Sequence, residues 1–100
     1  MMKLIKTKKQ KMKEECWNLN YELVKWLNEH LKVYLEDASR IVDLEFYKLK
    51  YKRKYYTQKE LIERLITITD KILNDSMFGC EELKNEMYDI LKLIHFTLWW

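Results

Sequence analysis

Tyr47–Glu60, YKLKYKRKYYTQKE, interrupts a chain that otherwise reads as helix. As a helix, residues 44–56 would scatter lysines among tyrosines on every side. As a strand, Tyr47, Leu49 and Tyr51 share one face and Lys48, Lys50 and Lys52 the other. The alternation predicts a strand. Lys52-Arg53 is then the turn of a hairpin returning through Tyr55 to Thr57, although neither is the Gly or Asn that a two-residue primed turn prefers. Thr57-Gln58-Lys59-Glu60 reads as a capping box, with Tyr56 and Leu61 at the staple positions, so a helix is predicted to start at Thr57.

Downstream, Leu61, Ile62, Leu65, Ile66, Ile68, Thr69, Ile72 and Leu73 form the inward stripe of that helix, predicted over Thr57–Leu73. Asn74–Gly79 reads as a connector. A further helix is predicted from Glu81 to about Thr97, with acids in its first turn and Leu83, Met87, Ile90, Leu91, Ile94 and Leu98 inward. Upstream, a helix is predicted from Glu14 to about Asp37, its stripe running through Cys16, Leu19, Leu23, Leu27, His30, Leu31, Tyr34, Ala38 and Ile41. Trp17 and Trp26 bound that stripe. Its apolar arc spans about half the circumference, more than the roughly 100° that one neighbour covers, so two packing partners are expected. The fold class is mainly α: a small three-helix domain at 14–100 with a short β-ribbon between the first two helices. The basic, aperiodic residues 1–13 are expected to be a mobile tail.

Composition narrows the chemistry. A single glycine, Gly79, rules out phosphate-cradling loops, which need several. Two cysteines without a CxxC motif suggest neither a disulfide framework nor a redox pair. Cys16 and His30, fourteen residues apart on one helix, stand about 21 Å apart along its axis and cannot share a metal. His30 reads as a core or core-edge imidazole, and Cys16 and Cys80 as small apolar fillers. His95 has no evident carboxylate partner. No catalytic residue, cofactor or metal site is expected. No apolar run approaches a membrane span, and the chain reads as cytoplasmic. Scarce Gly, Pro and Ala beside abundant Lys, Ile, Asn and Tyr resemble the usage of AT-rich genomes, including phages and mobile elements.

Two surfaces stand out. Lys48, Lys50, Lys52, Arg53 and Lys54, interleaved with Tyr51 and Tyr55 and joined by the lysines of the tail, suit single-stranded nucleic acid or an acidic protein; a solvated edge strand is the simpler explanation. On the last helix, Glu82, Glu86, Asp89, Leu93, Phe96 and Trp100 fall on one line outside the core stripe, spaced 4, 3, 4, 3, 4. With Trp99 they make the terminal turns apolar nearly all round, which requires burial on two sides or a binding role. The ribbon face of Tyr47, Leu49 and Tyr51 is one candidate cover, with its lysines near the acids. A non-catalytic protein-binding module, an inhibitor or adaptor, is the expected function. A nucleic-acid-binding regulator and a structural homo-oligomer subunit are the alternatives.

Overall fold

The computed structural model describes residues 7–75 and 81–99. Among these the chain forms α1 (Lys8–Cys16), α2 (Leu19–Ala38), β1 (Lys48–Tyr51), β2 (Lys54–Thr57), α3 (Gln58–Asn74) and α4 (Glu81–Ile94), closing on a 3-10 turn at His95–Thr97. The fold is mainly helical, with four helices and one two-stranded antiparallel sheet.

The extra helix corrects the reading of the N-terminus. Residues 8–13, expected as aperiodic tail, are helical because Thr7 and Gln10 form a capping box: the Thr7 N–H donates to Gln10 Oε1 at 2.8 Å and the Gln10 N–H to Thr7 Oγ1 at 3.2 Å. None of the α1 residues is buried, and Cys16, expected as a core filler, is an exposed free thiol. The single helix expected from Glu14 is broken at Asn18, whose backbone leaves the helical region at φ −133°, ψ 50°. Its N–H donates to the Glu15 carbonyl, while its own carbonyl accepts the Glu22 N–H at 3.0 Å and so starts α2. The first six residues of the expected tail, with Lys3 and Lys6, lie outside the described residues.

The ribbon is a two-residue hairpin, as the alternation predicts, pairing Leu49 with Tyr56 and Lys50 with Tyr55. Its turn is Lys52-Arg53, both left-handed, at φ 55° and 94°. A Cβ there costs roughly 1–2 kcal/mol per residue relative to the right-handed region. Arg53→Gly is therefore expected to stabilise the protein by about 0.5–1 kcal/mol, after allowing for glycine's greater entropy loss on folding. Reversible urea denaturation reads this directly, and a loss of stability would contradict the turn geometry.

The hairpin and the preceding loop also complete the start of α3. The Gln58 N–H donates to the Tyr47 carbonyl and the Lys59 N–H to the Leu44 carbonyl. Thr57 and Glu60 close the capping box at 3.0 and 3.1 Å. The four amides at this helix start, those of Thr57, Gln58, Lys59 and Glu60, are thereby all satisfied, which fixes the ribbon against the helix.

Helix α3 is the spine of the core. Leu61, Ile62, Leu65, Ile68, Thr69 and Ile72 are buried along it, with Val24, Leu31 and Ala38 of α2 and Met87, Ile90 and Ile94 of α4 packed against them. Helices α2 and α4 each pack on α3 and face one another across an open groove. The overall extents are 58 × 36 × 20 Å with a radius of gyration of 16.4 Å. About 13 Å is usual for a compact domain of this length. The elongation leaves α2 with one packed face.

That face keeps only part of the predicted stripe: Leu31 and Ala38 are buried, and Leu27 and Tyr34 pack against the core. Leu19, Leu23 and Ile41 are 47%, 62% and 62% exposed, and His30 is also at the surface. Asn28 is buried in their place. Its Nδ2 donates to Thr69 Oγ1 at 2.8 Å and Asp70 Oδ1 at 2.9 Å, and approaches the Ile66 carbonyl at 3.3 Å. A buried amide so paired is tolerated where an unpaired one is not. This clasp, flanked by the Lys32–Asp70 ion pair at 3.0 Å, turns α2 so that Val24, Asn28 and Leu31 face α3.

Candidate functional site

On α2 the outward residues Leu19, Leu23, Trp26, His30 and Val33 are spaced 4, 3, 4, 3. From α4 into the C-terminal turn, Lys84, Tyr88, Leu91, His95 and Leu98 repeat the same spacing. A 3.5-residue repeat of apolar positions is the pattern by which one helix packs along another. Leu23 and Trp26 of the first row, and the whole of the second, line the groove between α2 and α4, a hollow of about 740 Å³ floored by Ile72 and Met87. A smaller hollow of about 290 Å³ continues it past Trp26, Val33 and Tyr34. Trp26, Val33 and Tyr88 are 59%, 56% and 63% exposed. A contiguous apolar surface of this kind marks a binding site more often than scattered single residues do.

The rim is shaped by pairing within the helix. His30 stacks on Trp26 with ring centroids 3.9 Å apart and planes 19° apart. Its Nδ1 lies 2.7 Å from the Trp26 carbonyl oxygen, a contact that requires the proton on Nδ1. The imidazole thus covers one face of the indole at the surface instead of filling the core.

The C-terminal turn is tied down from two sides. Gln58 Nε2 donates to the Thr97 carbonyl at 3.0 Å and to Thr97 Oγ1 at 3.1 Å, and the Tyr34 hydroxyl donates to the Trp99 carbonyl at 3.1 Å. Burial pushes the Tyr34 phenol above its ordinary pKa. With its backbone held in this way, the turn presents Phe96 and Trp99 outward at 88% and 72% exposure. They line a second cleft, of about 580 Å³, with Phe46, Tyr47 and Leu49 from the base of the ribbon. Leu93 is half-buried against the core, and Trp100 lies outside the described residues.

The acidic half of the expected line is divided. Glu82 and Asp89 are exposed, while Glu86 accepts both Arg64 Nε at 2.7 Å and Nη2 at 2.9 Å in a bidentate bridge between α3 and α4. The hydrogen bonds from Arg64 hold the Glu86 carboxyl below its ordinary range, and those to Glu86 raise the guanidinium. For a carboxyl lowered in this way, the stabilisation is present above the unfolded-state pKa and is lost as pH falls through the lowered value. Glu86 is therefore a structural link between α3 and α4.

Along the ribbon, Lys48, Lys50 and Tyr55 occupy one exposed face, with Lys50 directly opposite Tyr55. Lys52, Arg53 and Lys54 crowd the turn. Tyr51 points inward beside Tyr56, ring centroids 6.3 Å apart, near Arg64 and Glu86. Its hydroxyl is buried and makes no hydrogen bond among the described residues. Of the two ribbon tyrosines expected to meet a ligand, only Tyr55, 66% exposed, faces solvent. Tyr47, expected on the inner face, precedes the ladder and stands edge-on to Phe46, exposed.

The α2–α4 groove is absent from the sequence-based surfaces, although a signal for it exists in the 4, 3, 4, 3 rows of both helices. Among the described residues no cluster of three His, Cys, Asp or Glu side chains is arranged to hold a metal ion, and no helix is long and apolar enough to cross a membrane. No family model, curated protein or solved structure matches the chain.

Proposed function

We propose that the protein is a small non-catalytic binding module, an adaptor or inhibitor that acts in the cytoplasm by occupying the surface of a partner protein. One observation carries this reading: the apolar row Leu19, Leu23, Trp26 and Val33 is exposed along α2, and its Leu23 and Trp26 face Tyr88, Leu91 and Leu98 across an open groove. Burying one such side chain on binding contributes about 1.5–3 kcal/mol, so four or five suffice for a specific complex after the cost of association. The aromatic cleft of Phe46, Phe96 and Trp99 supplies a second contact, where large anchors dominate binding energy. Leu23→Glu tests the reading, because Leu23 is mostly exposed and its replacement spares the core. Quantitative affinity capture from the native host is expected to lose one specific protein with this variant while its melting temperature stays within a degree or two. Unchanged capture at unchanged stability would refute the reading. Loss of self-association by sedimentation, with no other protein lost, would instead make the chain a homo-oligomer subunit.

A second reading is favoured by the hairpin turn. Lysine and arginine stand at two left-handed positions where Asn-Gly would be more stable, and strained backbone of this kind points toward function. With Lys48, Lys50 and exposed Tyr55 alongside, the ribbon suits a single strand of nucleic acid, phosphates on the cations and a base on the phenol ring. Replacing Lys48, Lys50, Lys52 and Lys54 with Gln is expected to weaken binding of single-stranded DNA or RNA in anisotropy titrations and to reduce its salt dependence. No binding by the unaltered protein at low salt would dismiss this reading.

A further inference from the structure

We infer that the groove between α2 and α4 receives one amphipathic helix of a partner protein, basic along the flank that meets α2 and acidic along the flank that meets α4. The inference rests on the protein-binding reading above and specifies the partner's chemistry. The occupant is a helix because both walls are helices whose outward residues repeat every 3.5 positions, so the side chains of a third helix interdigitate with both rows. An extended peptide would find no unpaired sheet edge along these walls, and its own backbone groups would lose water without gaining partners. A helix brings its backbone already satisfied.

Charge selects among helices. Beyond the apolar row of α2, the outer lip carries Glu22, Glu29 and Glu36, one every seven residues. Glu36 is bonded to Arg40 at 3.5 Å. The opposite lip on α4 carries Lys84, which also meets Glu81 at 3.3 Å, together with Lys92. The two lips thus differ in sign, and charges flanking an apolar seam set partner choice and direction. Because reversing a helix exchanges its left and right flanks, the same arrangement fixes which way the occupant runs. A second copy offering its own α2 would set the Glu22 and Glu29 row against itself, which disfavours self-pairing through this seam.

Three synthetic helices of about three heptads with identical leucine seams test this. One carries lysines on one flank and glutamates on the other, one glutamates on both, and one lysines on both. Titrated by anisotropy against the whole chain, the mixed helix is expected to bind about tenfold more tightly than the all-glutamate helix at low salt, with the gap narrowing as salt rises. The double variant Glu22→Lys, Glu29→Lys makes both lips basic and is expected to prefer the all-glutamate helix. Leu23→Glu, its fold checked by circular dichroism, is expected to lose all three. Equal affinity for all three helices, abolished by Leu23→Glu, would overturn the charge selection and leave the groove a protein-binding site. No binding of any helix would overturn the helical occupant, whereas the capture experiment judges the broader reading independently. A Leu23-dependent dimer in sedimentation would overturn it in favour of a second copy.

Discussion

Asn28→Asp is expected to destabilise the protein by about 3–5 kcal/mol near neutral pH, within the range for an uncompensated buried charge. The substitution preserves shape and replaces a donor with an acceptor. Asn28 Nδ2 now meets Thr69 Oγ1, the Ile66 carbonyl and Asp70 Oδ1, all acceptors in these contacts, because the Thr69 hydroxyl itself donates to the Leu65 and Ile66 carbonyls. A carboxylate oxygen in the place of Nδ2 faces three oxygens, the Asp70 charge among them at contact distance. Its pKa in the folded state is raised above the unfolded value, so the unfolded chain ionises first as pH rises. The penalty is therefore absent below the unfolded pKa, grows above it, and is complete once pH passes the raised folded value. Urea denaturation at neutral pH and near pH 3, with wild type at each pH as reference, measures the difference. An equal penalty at both values would show that Asn28 acts through packing instead of through its donors.

Ile90→Ala is expected to remove about 3–4 kcal/mol, whereas Leu23→Ala should change stability by less than about 0.5 kcal/mol. Both lie on stripes that helical periodicity marks as apolar. Ile90 is wholly buried between α4 and α3, and its truncation leaves a cavity; Leu23 is 62% exposed, and truncation returns little surface to water. Similar losses at the two sites would mean that α2 packs on its leucine row, which would remove the basis for the groove.

That contrast locates what the sequence conveys. The helix start at Thr57 was legible because a capping box is local, needing only four residues and their own backbone. The hairpin was legible because its alternation has a period that no helix shares. For α4, Met87, Ile90 and Ile94 lie on the expected stripe because no polar residue competes for the interior. In α2 the apolar arc is too wide for one neighbour, and position 28 holds an asparagine, which sequence patterning assigns to solvent. Its burial depends on Thr69 and Asp70, more than forty residues away, so no window of local sequence reports it. Two neighbours were expected for that arc. Among the described residues α3 supplies one, and the surplus apolar width is the wall of the groove. The Thr7 capping box was equally local and was overlooked because lysines around it suggested a tail. Glu86 was placed on the correct face, but its pairing with Arg64 depends on how α3 and α4 meet.

Because α2 and α4 both lean on α3 across a groove, the molecule has two seams along which it can come apart. Opening α2 leaves the α3–α4 pair and its Arg64–Glu86 bridge in place; opening α4 leaves the Asn28 clasp intact. Unfolding by way of partly open forms is then expected in native-state hydrogen exchange, with amides of α2 and α4 exchanging through separate openings and those of α3 only through global unfolding. Each seam joins helices that follow one another along the chain, α2 and α3 with the loop and hairpin of residues 39–57 between them, so reclosure needs only local search and should be fast. A ligand bridging both walls would join the two openings into one cooperative event.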